Sequence, residues 1–252
     1  VGYHVQQAIL KIEAMQLYNG GFSLWPQGGT ADWWASAYAT HFLLEAKEAG
    51  YEVNKKVLDG ALRFLAQKVK EREMETYFYN ENGVSKSRNV PRREIPYSVY
   101  VLAMADQAPI STMNYYKSLV ADLTSESRYL LASAYMLAGD VKSFRSVLPK
   151  VFGSEKAINE FGRCYASYLR DRSLALNALL EVDPNNPQVN ELLKGISIEL
   201  KNGRYYSTQE SAFALLAIGK HARKAAAANI TAQVTVDGKN VGAFNNKDLQ
   251  LA

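Results

Sequence analysis

Residues 30–70 read TADWWASAYATHFLLEAKEAGYEVNKKVLDGALRFLAQKVK, and they indicate two consecutive helices. Apolar residues recur at three- and four-residue spacing from Thr30 to Gly50, which is typical of an amphipathic helix that ends at a glycine. A second helix is predicted from Asn54 to Lys70, because Asn54 can cap its first turn and the apolar side chains share one face. The short connection at residues 50–53 makes the two helices a hairpin.

The same periodicity extends over most of the chain and predicts more helices, separated by Gly, Pro and Asn. Their predicted ranges are Ile95–Asp106, Ser111–Asp122, Ser125–Ala138, Val141–Val151, Lys156–Leu169, Ser173–Glu181, Pro187–Lys201 and Ser207–Ala228. Ser207 and Glu210 have the S-x-x-E spacing of a capping box. Consecutive helices with short connections indicate helical hairpins that cover one another's apolar faces, in an open solenoid or in a closed ring. Periodicity does not choose between these two arrangements.

Two stretches depart from the helical pattern. Residues Glu75–Val90 contain two extended runs around Asn82-Gly83, which predicts an inserted β-hairpin. Ile230–Val236 alternates at period two and is followed by a turn and by Val241–Phe244, which predicts a pair of strands. We therefore expect a mostly α-helical domain over residues 1–224, with a linker and the beginning of a β domain over residues 225–252.

Composition limits the classes of function. The chain is 48% hydrophobic and 21% charged, as in globular proteins, and its net charge of +4 is too small to indicate a nucleic-acid partner. The basic residues Lys86, Arg88, Arg92 and Arg93 are interpreted as a solvated loop. No window is long and apolar enough to span a membrane. The single cysteine, Cys164, excludes an internal disulfide and is interpreted as an unreactive helical residue.

A glycine-rich motif follows the first helix, from Gln16 to Trp25 in the sequence QLYNGGFSLW. Gly20 and Gly21 permit a turn that lies close to neighbouring backbone. We expect Phe22 and Trp25 to fill the gap between helices. The adjacent aromatics Trp33 and Trp34 either line a ligand cleft or are buried between hairpins, and burial is the favoured interpretation.

Residues typical of catalysis or metal binding do not form a recognisable pattern. His4, His41 and His221 lack the spacing of zinc ligands, and no nucleophile stands in a G-x-S-x-G turn. A helical-ring enzyme of the terpene-cyclase or glycosidase type would need aspartate-rich strings or paired carboxylates. Glu94, Asp171 and Glu210 are candidates, but helix-terminal charges, ion pairs and capping explain them. We therefore predict no catalytic residue, metal or cofactor.

Several strings together resemble the bacterial alpha-2-macroglobulin family. They are LKIEAMQ at residues 10–16 with NGGFSLW at 19–25, WASAYATHFLL at 34–44, RDRSLALNALLEVDP at 170–184, and NGRYYSTQESAFALL at 202–216. Their order covers most of the chain, and the last string is the most specific. The resemblance implies an α/α toroid of paired helices, corresponding to the thioester domain of these protease-trapping inhibitors, followed by a β region.

In thioester-bearing members of this family, a C-x-E-Q motif forms the thioester, and cleavage of a bait region exposes it while the protease is caged. This sequence has no C-x-E-Q, so no thioester residue is assigned. Two explanations stay open: the motif lies in an upstream segment, or the parent lacks it and traps without covalent capture. The resemblance implies a non-catalytic domain of a larger, exported protein of the periplasm or cell envelope, with its lipid anchoring left open. Its expected partners are the other domains of that parent and, through them, target proteases.

The resemblance also suggests a role for Tyr205 and Tyr206, which precede the capping box. Aromatics near such turns in the family keep water from the thioester, and these two tyrosines are candidates for a similar packing or interface role. Two other classes of function stay open: the helical-ring enzyme, and a helical-repeat module whose concave face binds a peptide.

Overall fold

The computed structural model describes residues 2–153, 167–202, 205–227, 231–236 and 239–245. The chain divides into two compact units, Val1–Glu160 and Phe161–Ala252. The first unit contains the helices α1 (Gly2–Glu13), α2 (Trp33–Glu48), α3 (Lys55–Lys68), α4 (Glu94–Met104), α5 (Ile110–Ser118), α6 (Ser125–Leu137) and α7 (Val141–Val147), and the strands β1 (Met74–Glu81) and β2 (Val84–Pro91).

The predicted hairpin of residues 30–70 is present as α2 and α3, which pack against each other. Helix α2 begins at Trp33 because the side chain of Asp32 caps it, accepting a hydrogen bond from Ala35 N at 2.8 Å. Asn54 caps α3 as its sequence position predicts, accepting from Lys56 N at 3.0 Å. Both helix starts are therefore set by local side-chain chemistry.

Helix α4 forms the centre of the first unit. It packs against α2, α3 and α6, and all its residues from Ile95 to Ala103 are buried. A helix that is apolar on every side is stable only when neighbours cover it completely. The hairpins of this unit therefore share one core that surrounds α4.

The β-hairpin lies between α3 and α4 in the chain. Strands β1 and β2 are antiparallel, with Met74 opposite Pro91 and Glu81 opposite Val84. Asn82 and Gly83 connect them with φ angles of 54° and 82°, as a two-residue hairpin turn that follows the twist of its strands requires. The prediction of an inserted β-hairpin is confirmed.

The second unit contains α8 (Tyr168–Val182), α9 (Gln188–Lys201), α10 (Thr208–Ala227) and the antiparallel strands β3 (Thr231–Val236) and β4 (Lys239–Asn245). Helix α8 packs against both α9 and α10. It begins at Tyr168 rather than Ser173 because Ser167 Oγ accepts from Arg170 N at 3.0 Å and caps an earlier turn.

Three other predicted helix boundaries are changed or untested. The helix predicted for Ser111–Asp122 is α5 followed by a separate 3₁₀ turn at Val120–Asp122. Helix α7 ends at Val147 and not at Val151, because Leu148 precedes Pro149 and a residue before proline disfavours helical backbone. The helix predicted for Lys156–Leu169 and Cys164 fall mainly on residues 154–166, outside the described residues.

The predicted fold class is confirmed in its elements: helical hairpins, an inserted β-hairpin and a C-terminal pair of strands. The closing of the hairpins into an α/α toroid stays a prediction. The division of the chain at residue 224 also stays a prediction; helix α10 ends at Ala227 and β3 begins at Thr231.

The start of α10 shows both hydrogen bonds of a capping box. Ser207 N donates to Glu210 Oε2 at 2.8 Å, and Glu210 N donates to Ser207 Oγ at 3.2 Å. Each bond satisfies an amide that the helix itself leaves without an acceptor.

Replacing Ser207 with alanine is expected to lower the free energy of unfolding by about 1 kcal/mol, because the Glu210 amide loses its acceptor. Urea unfolding followed by circular dichroism measures the change. Ser207→Asn is the control and is expected to retain most of the stability, since asparagine also caps helices well. Equal urea midpoints for wild type and Ser207→Ala would contradict the role of this cap.

Candidate functional site

The glycine-rich motif forms a tight loop directly after α1, and we call residues 15–23 the glycine turn. Leu17 N donates to Gly21 O at 2.8 Å, and Gly20 N donates to Leu17 O at 2.9 Å. Gln16 and Phe22 form an isolated antiparallel bridge. The chain therefore reverses direction within a few residues and returns towards α2.

Gly20 and Gly21 allow this turn to lie on the neighbouring helix. Gly20 has a φ of +88°, and a Cβ atom there would stand 2.2 Å from the carbonyl oxygen of Gly60 in α3. A Cβ on Gly21 would stand 2.6 Å from the Cβ of Ala31 and 2.8 Å from the ring of Phe64. The turn and α3 are thus in backbone contact, which only glycine permits.

Gln16 joins the turn to α3 by hydrogen bonds. Its Nε2 donates to Gly20 O at 2.9 Å and to Val57 O at 2.7 Å. One amide group therefore bonds the turn to itself and to the first part of α3. The sequence motif contained this glutamine, but spacing alone did not reveal its role, because its partner Val57 lies far along the chain.

Phe22 attaches the turn to α2. Its side chain is 2% exposed, and its backbone N donates to Ser36 Oγ at 2.8 Å. Asp32 N donates to Phe22 O at 2.9 Å, which places the start of α2 beside the turn. The burial expected for Phe22 is therefore present.

The expectation that Trp25 fills a gap between helices is wrong. Trp25 is 75% exposed. Its carbonyl oxygen accepts from Ser23 Oγ at 2.8 Å and from Gly28 N at 3.0 Å, so the backbone turns sharply here and the indole faces outward. Tyr18 and Leu24, in the same loop, are 101% and 48% exposed. The motif therefore presents a group of exposed apolar side chains beside its buried Phe22.

A small cavity lies between the glycine turn and α3. Its volume is about 150 Å³. The residues that line it are Gln16, Leu17, Tyr18, Asn19, Gly20, Lys56, Gly60 and Arg63. Most of this lining is polar, and two of its members carry a positive charge.

Trp33 and Trp34 are buried, with exposures of 5% and 6%, so they do not line an open cleft. Trp33 Nε1 donates to Ser98 Oγ of α4 at 2.9 Å. The Trp34 ring packs against Tyr97, also of α4, with centroids 5.1 Å apart. Both tryptophans therefore fasten the first turn of α2 to the central helix.

His41 of α2 lies in the same aromatic region and is 1% exposed. Its Nδ1 is 2.9 Å from the Tyr97 hydroxyl, and its Nε2 is 3.5 Å from Glu45 Oε1. The ring also makes edge contacts with Tyr97 and Tyr100. Since the imidazole is enclosed by these groups, it joins polar atoms of α2 and α4 in the core and has no access to a substrate. Residue spacing did not indicate this network, because its members come from two helices.

Arg92 connects the base of the β-hairpin to α4. Its Nη1 is 2.7 Å from Glu73 Oε2, and its Nη2 is 2.6 Å from Glu94 Oε1. Its guanidinium also lies 5.3 Å from the centroid of the Trp33 ring. Arg93 is 8% exposed and lies 3.3 Å from Glu126 Oε1 of α6. The interpretation of Arg92 and Arg93 as part of a solvated loop is therefore wrong: both are ion-paired.

Two carboxyl groups at this place have pKa values shifted in opposite directions. The hydrogen bond from Arg92 holds the pKa of Glu73 below its usual range. Burial raises the pKa of Glu75, and the charge of Glu94 raises it further, against the opposing charge of Arg93. The ionised form is thus favoured at Glu73 and disfavoured at Glu75.

The carboxylates considered for catalysis are all held by neighbouring donors. Glu94 accepts from Arg92, Asp171 accepts from Arg170 Nε at 2.7 Å, and Glu210 accepts from Ser207 N. In the described ranges, no group of three His, Cys, Asp or Glu side chains could hold a metal ion. Nor does any helix of these ranges have the length and hydropathy to cross a membrane.

The two tyrosines before α10 differ in environment. Tyr205 is 104% exposed, whereas the Tyr206 hydroxyl donates to Glu199 O of α9 at 2.5 Å. Tyr206 therefore links the ends of α9 and α10. The role of Tyr205 as an interface aromatic stays a prediction.

Comparison with known proteins supports the resemblance noted in the sequence. No family model matches the chain. It is 28% identical over 210 residues to the alpha-2-macroglobulin of Escherichia coli (strain K12), covering 82% of this chain and 12% of that protein. It is 29% identical over 175 residues to the alpha-2-macroglobulin of Xylella fastidiosa (strain Temecula1 / ATCC 700964), covering 68% of this chain and 10% of that protein. The chain thus spans about a tenth of the length of these relatives.

Solved structures show the same fold. The native E. coli alpha-2-macroglobulin, solved from domain MG7 to the C-terminus, superposes with a TM-score of 0.70 at 24% identity over 97% of this chain and 37% of that chain. The cryo-EM structure of the native E. coli protein gives a TM-score of 0.71 at 24% identity, over 15% of that chain. The likeness therefore extends over nearly the whole of the present chain.

Replacing Gly20 with alanine is expected to destabilise the first unit by roughly 3 kcal/mol, since the Cβ atom meets the Gly60 carbonyl and a left-handed backbone is unfavourable for alanine. Urea unfolding measures the change. Gly29→Ala is the matched control: a Cβ atom there meets nothing within 4 Å, so its midpoint should equal that of wild type. Equal midpoints for the two variants would refute the close contact.

Glu75→Gln is expected to raise stability at pH 7. A carboxyl group with a raised folded-state pKa favours folding below its unfolded pKa of about 4.3, and this advantage is lost as the pH rises through the folded-state value. The gain in urea midpoint should therefore disappear below pH ~4. Glu73→Gln, where the pKa is lowered, should instead lose stability at pH 7 and approach wild type in acid. The same sign for both variants would contradict this assignment.

Proposed function

We propose that this relative of the bacterial alpha-2-macroglobulins is a non-catalytic helical domain of a larger protease-trapping protein. The proposal rests on how much of each chain the match with the E. coli relative covers. The match extends over 82% of this chain but only 12% of the E. coli relative. A segment of this length is one part of the larger protein, and inhibition is proposed to belong to the whole protein.

The expected partners are the other domains of the parent and, through the intact parent, target proteases. Two solved E. coli structures are of the protein activated by trypsin and by porcine elastase. We propose proteases of this kind as targets of the present parent. No nucleic-acid partner is proposed, because the net charge is only +4.

The present chain is proposed to take part in trapping without itself supplying the residues of a thioester. A Salmonella alpha-2-macroglobulin has been solved after reaction with methylamine. The present sequence contains no C-x-E-Q and only one cysteine, Cys164, which lies outside the described residues. Its contribution is therefore proposed to be structural, through packed hairpins and exposed contact surfaces.

We also propose that residues 1–224 form the thioester-domain-like α/α toroid and that β3 and β4 begin the following β domain. The β3–β4 pair supports this, because a lone two-stranded hairpin needs further strands or a helix against it to be stable. By relationship to its family, the parent is proposed to be exported to the periplasm or cell envelope.

A protease assay tests the proposed function. Trypsin is incubated with the 252-residue chain or with the full-length parent, and the hydrolysis of casein and of a short chromogenic peptide is followed. The chain alone should change neither rate. The parent should slow casein hydrolysis strongly and peptide hydrolysis little, since a caged protease still admits small substrates.

Heat-denatured parent serves as the control for simple competition between protein substrates. Inhibition by the chain alone, or equal slowing of both substrates by the parent, would contradict the proposal. Unchanged casein hydrolysis in the presence of the intact parent would contradict it as well.

A further inference from the structure

The cavity beside the glycine turn combines polar walls with two positive charges. Lys56, Gly60 and Arg63 of α3 form one wall, and their spacing of four and three residues places them on one face of the helix. The glycine turn forms the other wall. None of the residues that line the cavity is acidic.

The two cations of the cavity are not neutralised by close partners. Within the described part of the chain, no carboxylate oxygen lies within 4 Å of Lys56 Nζ or of the Arg63 guanidinium. The nearby Asp59 is paired with another residue, because its Oδ2 accepts a hydrogen bond from Lys55 Nζ at 2.7 Å. That hydrogen bond is the main cause of its lowered pKa, and the charge of Arg63 contributes less. The electrostatic potential in the cavity is therefore positive and attracts an anionic group.

The cavity also offers a neutral donor. Asn19 Oδ1 accepts from Gly21 N at 3.1 Å, which assigns the other side-chain atom, Nδ2, as a donor. Together with a guanidinium and an ammonium group, this is a set of donors that suits a carboxylate, whose two oxygens only accept.

The size and rim of the cavity indicate what carries that carboxylate. A volume of about 150 Å³ holds one side chain, whereas sites for whole small-molecule ligands are roughly 300–1,000 Å³. Tyr18, which lines the cavity, is 101% exposed, and Leu24 and Trp25 of the same loop are exposed as well. An exposed aromatic side chain beside a charged anchor is typical of protein–protein contacts and not of free-ion sites.

We propose that this cavity docks an aspartate or glutamate side chain from a loop of another domain of the parent, with Lys56 and Arg63 binding the carboxylate and Tyr18 packing against the loop. The proposal rests on the proposed function in one respect only, namely that the chain is one domain of a larger protein. It assigns the glycine turn a role as an interdomain contact.

Lysine footprinting of the full-length parent tests the proposal without any protease. The parent is treated with limiting acetylating reagent, and mass spectrometry follows the modification of Lys56 and of Lys70, an exposed lysine two residues after the end of α3. Docking should slow the acetylation of Lys56 relative to Lys70 by roughly tenfold, as expected when the undocked state is about 10% populated.

Arg63→Glu in the parent should abolish this protection, because a carboxylate repels the acidic loop. The direct effect of the new charge acts in the opposite direction: a negative neighbour by itself favours the charged, unreactive form of Lys56 and would slow its acetylation. Faster acetylation therefore reports undocking. Lys142→Glu introduces the same change of charge at an exposed site outside the cavity and should leave Lys56 protected.

Two results would overturn the proposal: equal acetylation of Lys56 and Lys70 in the wild-type parent, or protection of Lys56 that persists in Arg63→Glu. The second would show that the surface is covered by something other than an acidic side chain. Because the readout needs no protease, a failed trapping assay and a failed docking test are distinguishable.

Discussion

The contact between Gly20 and Gly60 sets the geometry of the candidate site. A Cβ atom at position 20 would overlap the Gly60 carbonyl, so the two backbones touch where side chains would otherwise separate them. Gln16 then reaches Val57 O, and the returning chain reaches Ser36 of α2 through Phe22 N. The turn is thus held against α3 and α2 at once, and the side chains of Tyr18 and Trp25 on its outer side face solvent.

Burial of α4 imposes a second constraint, since a fully enclosed helix must satisfy its polar side chains internally. Ser98 accepts from the Trp33 indole, and the Tyr97 hydroxyl meets His41. These bonds link α2 to α4 at two places, and they fix an alignment of the two helices that apolar contacts alone would not fix. The buried aromatics with polar tips thus specify how the helices align.

The sequence predicted those parts of the fold that depend on neighbours along the chain. The cap at Asn54, the turn at Asn82-Gly83 and the reciprocal bonds of Ser207 and Glu210 all involve residues within a few positions of one another, so their spacing carries the information. Contacts between distant residues were not predictable in this way. The cavity forms because Asn19 lies beside Arg63, and the Arg92 network includes Glu73. The outward position of Trp25 depends on hydrogen bonds in the turn. None of these features follows from periodicity.

The distribution of charge argues for binding rather than chemistry at the glycine turn. General acid–base catalysis needs a group whose pKa is tuned towards neutrality within reach of a substrate. Among the described residues, the carboxyl groups with opposed shifts, Glu73 and Glu75, lie at the base of the β-hairpin near Arg92 and Arg93. The hydrogen bond from Arg92 explains the lowered pKa of Glu73, and burial explains the raised pKa of Glu75. The cavity instead combines Lys56 and Arg63 with amide donors and a rigid backbone. Such a site can hold an anion in place, which is what a contact surface in a larger assembly requires.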